Sequence, residues 1–156
     1  MERVFNALFL SRRNSARGRL AAALLNSMGK GRFRAFSAGV RPAQAADPLA
    51  VEVLAHAGLK PGEPRARHRD EFIGAGAPPL DFVFTLSDKT AGETPPDWPQ
   101  QRLTAHWRCE DPAKYSQDDV GKRLSLLRTR SELERRLRIF INLPPASLDR
   151  MSLRQQ

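Results

Sequence analysis

The residues best suited to chemistry lie in one short loop: Ser11, Arg12, Arg13, Asn14, Ser15, Ala16 and Arg17. Three arginines within it make an oxyanion-binding set, because a guanidinium fork matches two oxygens of a phosphate-like group. Asn14 suits a tight turn there, since asparagine tolerates a positive φ better than most residues. The chemistry on offer is the holding of a tetrahedral anion.

The flanking sequence is what positions these groups. Val4, Phe5 and Ala7 to Leu10 form an apolar run, read as a buried strand. After the loop, Leu20, Ala21, Leu24, Leu25 and Met28 recur at helical spacing, which predicts a helix over 16–28 closed by Gly29. A strand, tight loop and helix in this order aim several unpaired backbone N–H groups at one point. The positive end of the helix dipole lies behind them.

Further elements alternate. Phe33–Ser37 reads as a second strand, and Asp47 before Pro48 as the start of a helix that buries Ala50, Val53, Leu54 and Ala57 and ends at Gly58. Residues 60–69 form a polar, basic connector and residues 74–79 a loop. Leu80–Leu86 reads as an apolar central strand, followed by an irregular proline-rich segment over 90–101 and a short strand over 101–105. A long amphipathic helix is expected over 118–142, its inner stripe Val120, Leu124, Leu127, Leu133, Leu137, Phe140 and Ile141. The alternation implies a single α/β domain over 1–143: a mostly parallel sheet with helices on both faces, followed by a C-terminal tail, 144–156. Ligands of such sheets bind beyond the carboxyl ends of the strands, where the loop falls.

A chain of 156 residues suits one core. Asn6 and Arg12-Arg13 interrupt the first apolar run, so neither a signal peptide nor a membrane span is expected and the location reads as cytoplasmic. The net charge is +9, with arginine well above lysine. No aromatic residues interleave with the arginines as on a base-stacking surface, which favours solvated basic faces over nucleic-acid binding. Cys109 is the one cysteine, so neither an internal disulfide nor a cysteine-pair metal site can form. No metal or cofactor is expected.

The loop resembles the phosphate loop of the low-molecular-weight protein tyrosine phosphatases and of the thioredoxin-coupled arsenate reductases on the same fold. Their motif, C-x-x-x-x-x-R-[ST], follows the first strand. Here Ser11 stands in place of the cysteine, Asn14-Ser15 and Arg17 match, and Gly18 replaces the Ser or Thr. The likeness continues through Phe36-Ser37-Ala38-Gly39, Asp70-Glu71-Phe72, Asp81-Phe82-Val83-Phe84-Thr85, Thr104-Ala105-His106-Trp107, Asp111-Pro112-Ala113 and Leu143-Pro144-Pro145, closest to the arsenate reductase branch.

The resemblance implies a nucleophile at Ser11, an oxyanion clamp at Arg17 and a general acid at Asp111. Asp111-Pro112 is equally a helix cap and first helical position. A serine hydroxyl is far less acidic than a thiol, whose free pKa is about 8.5, and normally needs an adjacent base. His56, His68 and His106 are all distant from position 11 in sequence. Gly18 also removes the hydroxyl that would steady a thiolate. The two further cysteines of a reductase relay are absent, with Ser87 and Pro95 at their places, so thioredoxin coupling is not expected. Arg12 and Arg13 either block the pocket, enlarge it, or project into solvent.

Three functions follow. The chain binds a phosphate-like oxyanion or phosphorylated ligand without catalysis; or it is a weak phosphomonoester hydrolase; or it is an interaction protein using its arginine-rich surface.

Overall fold

The computed structural model describes residues 3–14, 16–62, 66–72, 76–86, 104–115 and 118–154. Ser15, Ser87, Pro95 and the proline-rich segment lie outside them. Four parallel strands, β1 (Phe5–Ser11), β2 (Phe33–Gly39), β3 (Phe82–Thr85) and β4 (Ala105–His106), form one sheet in the order β2-β1-β3-β4. The helices are α1 (Arg17–Met28), α2 (Pro48–His56), α3 (Asp119–Ile141) and α4 (Pro145–Met151). The α/β fold expected from the alternation is the one found. No helix among the described residues is long and apolar enough to cross a membrane.

Alternation along β1 builds two cores. Phe5, Ala7 and Phe9 face the larger one, with Phe33, Phe82, Phe84, the inner faces of α1 and α2, and Leu126, Leu133, Leu137 and Phe140 of α3. Phe140 meets Phe82 and Phe84 edge-on, with centroids 4.9 and 5.4 Å away, the arrangement that aromatic quadrupoles favour. Leu8 and Leu10 face the opposite side, where Ala38, Val83 and Phe72 of a short 3-10 turn (Arg69–Phe72) join them.

Two expectations need correcting. Val120, Leu124 and Leu127 are not on the inner stripe of α3: they are 68%, 50% and 40% exposed. Stepping back from Leu133 by helical spacing reaches Thr129, Leu126 and Ser125, and these are the buried residues. The most apolar side chains of the first turns therefore lie out of phase with the packed ones, and small polar residues fill the inner positions. Ser125 is satisfied there by the Glu110 carboxylate at 2.7 Å.

The second correction concerns residues 144–156. Residues 145–151 form α4, whose Leu148 is fully buried in the main core. Beyond it, Asp81 gathers both ends of the described chain. Its carboxylate accepts from Arg3 (2.5 Å), from Arg154 through two nitrogens (2.5 and 2.7 Å), from the Asn6 backbone N–H (2.8 Å) and from the Ser152 hydroxyl. Burial alone would raise the Asp81 pKa, but the hydrogen bonds from Arg154, Ser152 and Asn6 hold it below the usual carboxylate range.

Two smaller shifts complete the comparison. α2 ends at His56, leaving Ala57 as its C-cap, and the short strand seen after the proline-rich segment is Ala105–His106. The Asp47 cap is as read: its carboxylate accepts from the Leu49 N–H at 2.9 Å.

Candidate functional site

The strand order places the site. From β1 the chain crosses to β2 on one side, and β3 and β4 then build out on the other. The carboxyl ends of β1 and β3 thus flank a point where the winding reverses, the usual crevice of an open parallel sheet. Ser11, the last residue of β1, stands there, and the loop to α1 passes over it.

The loop's shape comes from its backbone. The carbonyls of Ser11, Arg12 and Arg13 accept from the N–H groups of Val40, Arg41 and Ala43 at 3.3, 2.8 and 2.9 Å, so the β1–β2 pairing runs on past both strands. Gly39 permits this close approach: a Cβ there would stand 2.9 Å from the Arg13 carbonyl carbon and 3.0 Å from Asn14 N. Gly39 lies within the matching Phe36–Gly39 segment, where Ala38-Gly39 reads from sequence as the turn after the second strand; it is instead the last residue of β2. A glycine closing a strand beside a loop was the available signal. Asn14 then turns the chain with φ +52°, as its residue type suggested.

Beyond the turn, Ala16 caps α1 with no side-chain hydrogen bond, and no acid lies in the first turn. Ala16, Arg17, Gly18 and Arg19 are all buried, so the first turn of α1 is shielded from solvent. Arg19 braces the turn, its Nε donating to the Asn14 carbonyl at 2.7 Å.

Arg17 is 6% exposed and crosses to the segment after β4. Its Nη1 donates to the Cys109 carbonyl at 3.3 Å, and its Nη2 lies 3.8 Å from Asp111 Oδ1. Burial lowers the Arg17 pKa, with the charge of Asp111 opposing the shift. The three residues that the resemblance assigns to chemistry are therefore set on neighbouring elements: Ser11 at the end of β1, Arg17 opening α1, and Asp111 against Arg17. Asp111 also precedes a 3-10 turn (Pro112–Tyr115), its carbonyl accepting from Lys114 N at 3.2 Å, so it fills its structural role as well.

Ser11 itself is 2% exposed, and its Oγ accepts a hydrogen bond from Asn14 N at 3.1 Å. Among the described residues it has no other partner. His106 pairs across the sheet with Thr85, and its Nδ1 lies 2.8 Å from Thr85 Oγ1. Thr85 in turn pairs with Leu10, which leaves the histidine two strands from the end of β1, a backbone spacing of about 9.5 Å. At Gly18 an added Cβ would meet Ser11 Oγ at 3.4 Å and both Phe9 O and Ser37 Cβ at 3.3 Å. The space beside the serine is tight.

Arg13 is exposed and has no partner among the described residues, while Arg12 is half-buried. Cys109 is 5% exposed and belongs to the main core; burial pushes its thiol up to about 11, so it stays protonated at neutral pH. It is a packing residue beside the site.

The profile of the low molecular weight phosphotyrosine protein phosphatase family matches residues 6–153, and the chain belongs to that family. The glutaredoxin arsenate reductase of Synechocystis sp. is 24% identical over 135 residues, covering 86% of this chain and 94% of that protein. An arsenate reductase from Archaeoglobus fulgidus superposes with a TM-score of 0.68 at 29% identity, covering 88% of this chain and 99% of its own. The same fold holds the YwlE arginine phosphatase, solved as a Cys-to-Ser mutant with a phosphorylated active-site serine. Its TM-score is 0.66 at 20% identity, over 88% of this chain and 93% of that one.

Proposed function

We propose that this chain binds a phosphate-like oxyanion or a phosphorylated ligand in the loop from Ser11 to Arg17 and does not turn it over. One observation carries the reading. The Ser11 hydroxyl, at the nucleophile position, is an acceptor for Asn14 N and has no base among the described residues to take its proton. Serine nucleophiles depend on such a base. Two features beside it support anion binding: a buried helix N-terminus without a side-chain cap, and a buried guanidinium held by Asp111 and the Cys109 carbonyl.

Calorimetry with inorganic phosphate and with vanadate tests the cradle. Wild type should bind both weakly, and Arg17→Ala should lower the affinity about a hundredfold, the scale of removing one oxyanion donor from a preorganised site. Equal affinities in the two proteins would end the proposal. p-Nitrophenyl phosphate should not be hydrolysed by wild type.

The second reading, a weak phosphomonoester hydrolase, draws support from the relative whose active-site serine carries phosphate. Here Ser11 Oγ would attack phosphorus as its proton passes to a phosphate oxygen, the ester P–O bond would break with Asp111 protonating the departing alcohol, and water would hydrolyse the phosphoserine slowly. A phosphate adduct on Ser11, seen by mass spectrometry after incubation with p-nitrophenyl phosphate, would select this reading over the first.

Neither reading includes arsenate reduction. A disulfide relay needs a second sulfur, and the chain has Cys109 alone. Arsenate with thioredoxin, its reductase and NADPH should therefore give no oxidation above the background without the protein. A protein-dependent rate would refute the point.

A further inference from the structure

A cleft of about 670 Å3 lies between α1, the outer edge of β2 and the turn at residues 58–62. Four cations line it: Arg19, Lys30, Lys60 and Arg67. No carboxylate is among the described residues lining it. Arg67 is balanced by Glu71 at 3.2 Å, whereas the exposed Lys30 and Lys60 have no ion pair among the described residues. Arg19 is 5% exposed, so a guanidinium is embedded in the cleft wall.

The remaining lining is of a different kind. Ala22, Ala23 and Ala35 form a floor of small side chains, and Leu59 and Pro61 an apolar wall. Asn14 also lines the cleft; it is 1% exposed, and its Oδ1 has no hydrogen-bond partner among the described residues. Its Nδ2 reaches the Ser37 carbonyl on the edge of β2 only at 3.4 Å. A buried acceptor without a donor is costly, and a ligand bringing an O–H or N–H group would relieve it. The volume lies within the range of small-molecule sites.

We propose that this cleft is a second ligand site, taking a phosphate monoester of a hydroxylated ring: a sugar phosphate or a nucleoside monophosphate. The phosphate meets the lysines and Arg19, a ring hydroxyl donates toward Asn14, and the ring covers the alanine floor. Among the described residues, Asn14 joins the cleft to the phosphate loop: its backbone N–H serves Ser11 and its carbonyl takes the Arg19 bond. It does not depend on binding in the loop.

Arg17→Ala, which disables the loop, gives the background for the test. Calorimetric titration of this variant with ribose 5-phosphate or adenosine 5′-monophosphate should show one site per chain. Adding Lys30→Glu and Lys60→Glu should weaken it at least tenfold, and inorganic phosphate or adenosine alone should bind at least tenfold more weakly than the esters. Should Arg17→Ala not fold, amide-shift mapping on isotope-labelled wild type gives the same answer: the esters should perturb residues 19–30 and 58–62 as a group apart from the loop. Unchanged ester binding in the double-glutamate variant would overturn the proposal. So would inorganic phosphate binding as tightly as the esters, or perturbations confined to residues 11–17. Loss of loop binding with retention of cleft binding would sink the loop reading and leave this one standing.

Discussion

Ser11→Cys is expected to confer p-nitrophenyl phosphate turnover where wild type has none, because a thiolate of lowered pKa needs no adjacent base. The new sulfur would take the place of an oxygen that already accepts the Asn14 N–H at 3.1 Å, in front of the uncapped end of α1. Arg17, buried nearby, adds positive charge. These groups favour the anion, so the thiol should titrate below the free value of about 8.5. Activity should rise with pH through that lowered pKa. Cys109, held near 11 by burial, will titrate separately and not obscure the measurement.

The recovered rate should still be modest. Gly18 offers the sulfur no hydroxyl, and a second change to Gly18→Ser must displace neighbours that a Cβ would meet at 3.3 to 3.4 Å. Any further gain from the serine is partly offset by that crowding. Arg13→Gly should add little, since the Arg13 side chain is exposed. A thiol pKa at or above the free value in the single variant would show that the loop has lost its anion geometry.

Asp81→Ala should have the largest effect on stability, a loss of about 1–3 kcal/mol for each buried donor left unpaired, Asn6 N and the Ser152 hydroxyl. The carboxylate is fully buried and is the shared acceptor for Arg3, Arg154, Ser152 and Asn6 N, so its removal strands several donors at once. Urea unfolding of wild type and variant measures the difference. The pH dependence has a definite sign. The folded-state pKa of Asp81 lies below the unfolded one, so its stabilisation is complete above the unfolded carboxylate value, about 3.9, and falls away as the pH drops through the folded value. The acid-side loss should be shallower in Asp81→Ala. Arg3 and Arg154 are each about a third exposed or more, so single alanine variants there should cost much less.

The parts of this structure legible in sequence are those governed by local patterns. Apolar runs marked β1 and β3, Asp47-Pro48 marked a helix start, and the polar residues 11–17 marked the loop between β1 and α1. What could not be read depended on phase or on distance. The first turns of α3 show this: Leu124 and Leu127 are more apolar than Ser125 and Thr129, yet phase with Leu133 decides burial. The terminal segment went unread for another reason, since Leu148 is one apolar residue in a short polar stretch and Asp81 lies about seventy positions away from its partners. In the site, Ser11 and Arg17 were visible from spacing, whereas Gly39 acts by contact with a loop that precedes it by twenty-five residues.

That contact bears on how such a protein can change over generations. Positions 11–13 are joined to the segment after β2 by their carbonyls, which every residue type possesses, so replacement of their side chains leaves those bonds in place and at position 11 costs only the Oγ contact with Asn14 N. The identity of the nucleophile and the charge at the rim are thereby free to drift while the cradle keeps its form. The constraint falls instead on Gly39: a single methyl group there would stand 2.9 to 3.0 Å from the loop backbone and push the loop away from β2 in one step.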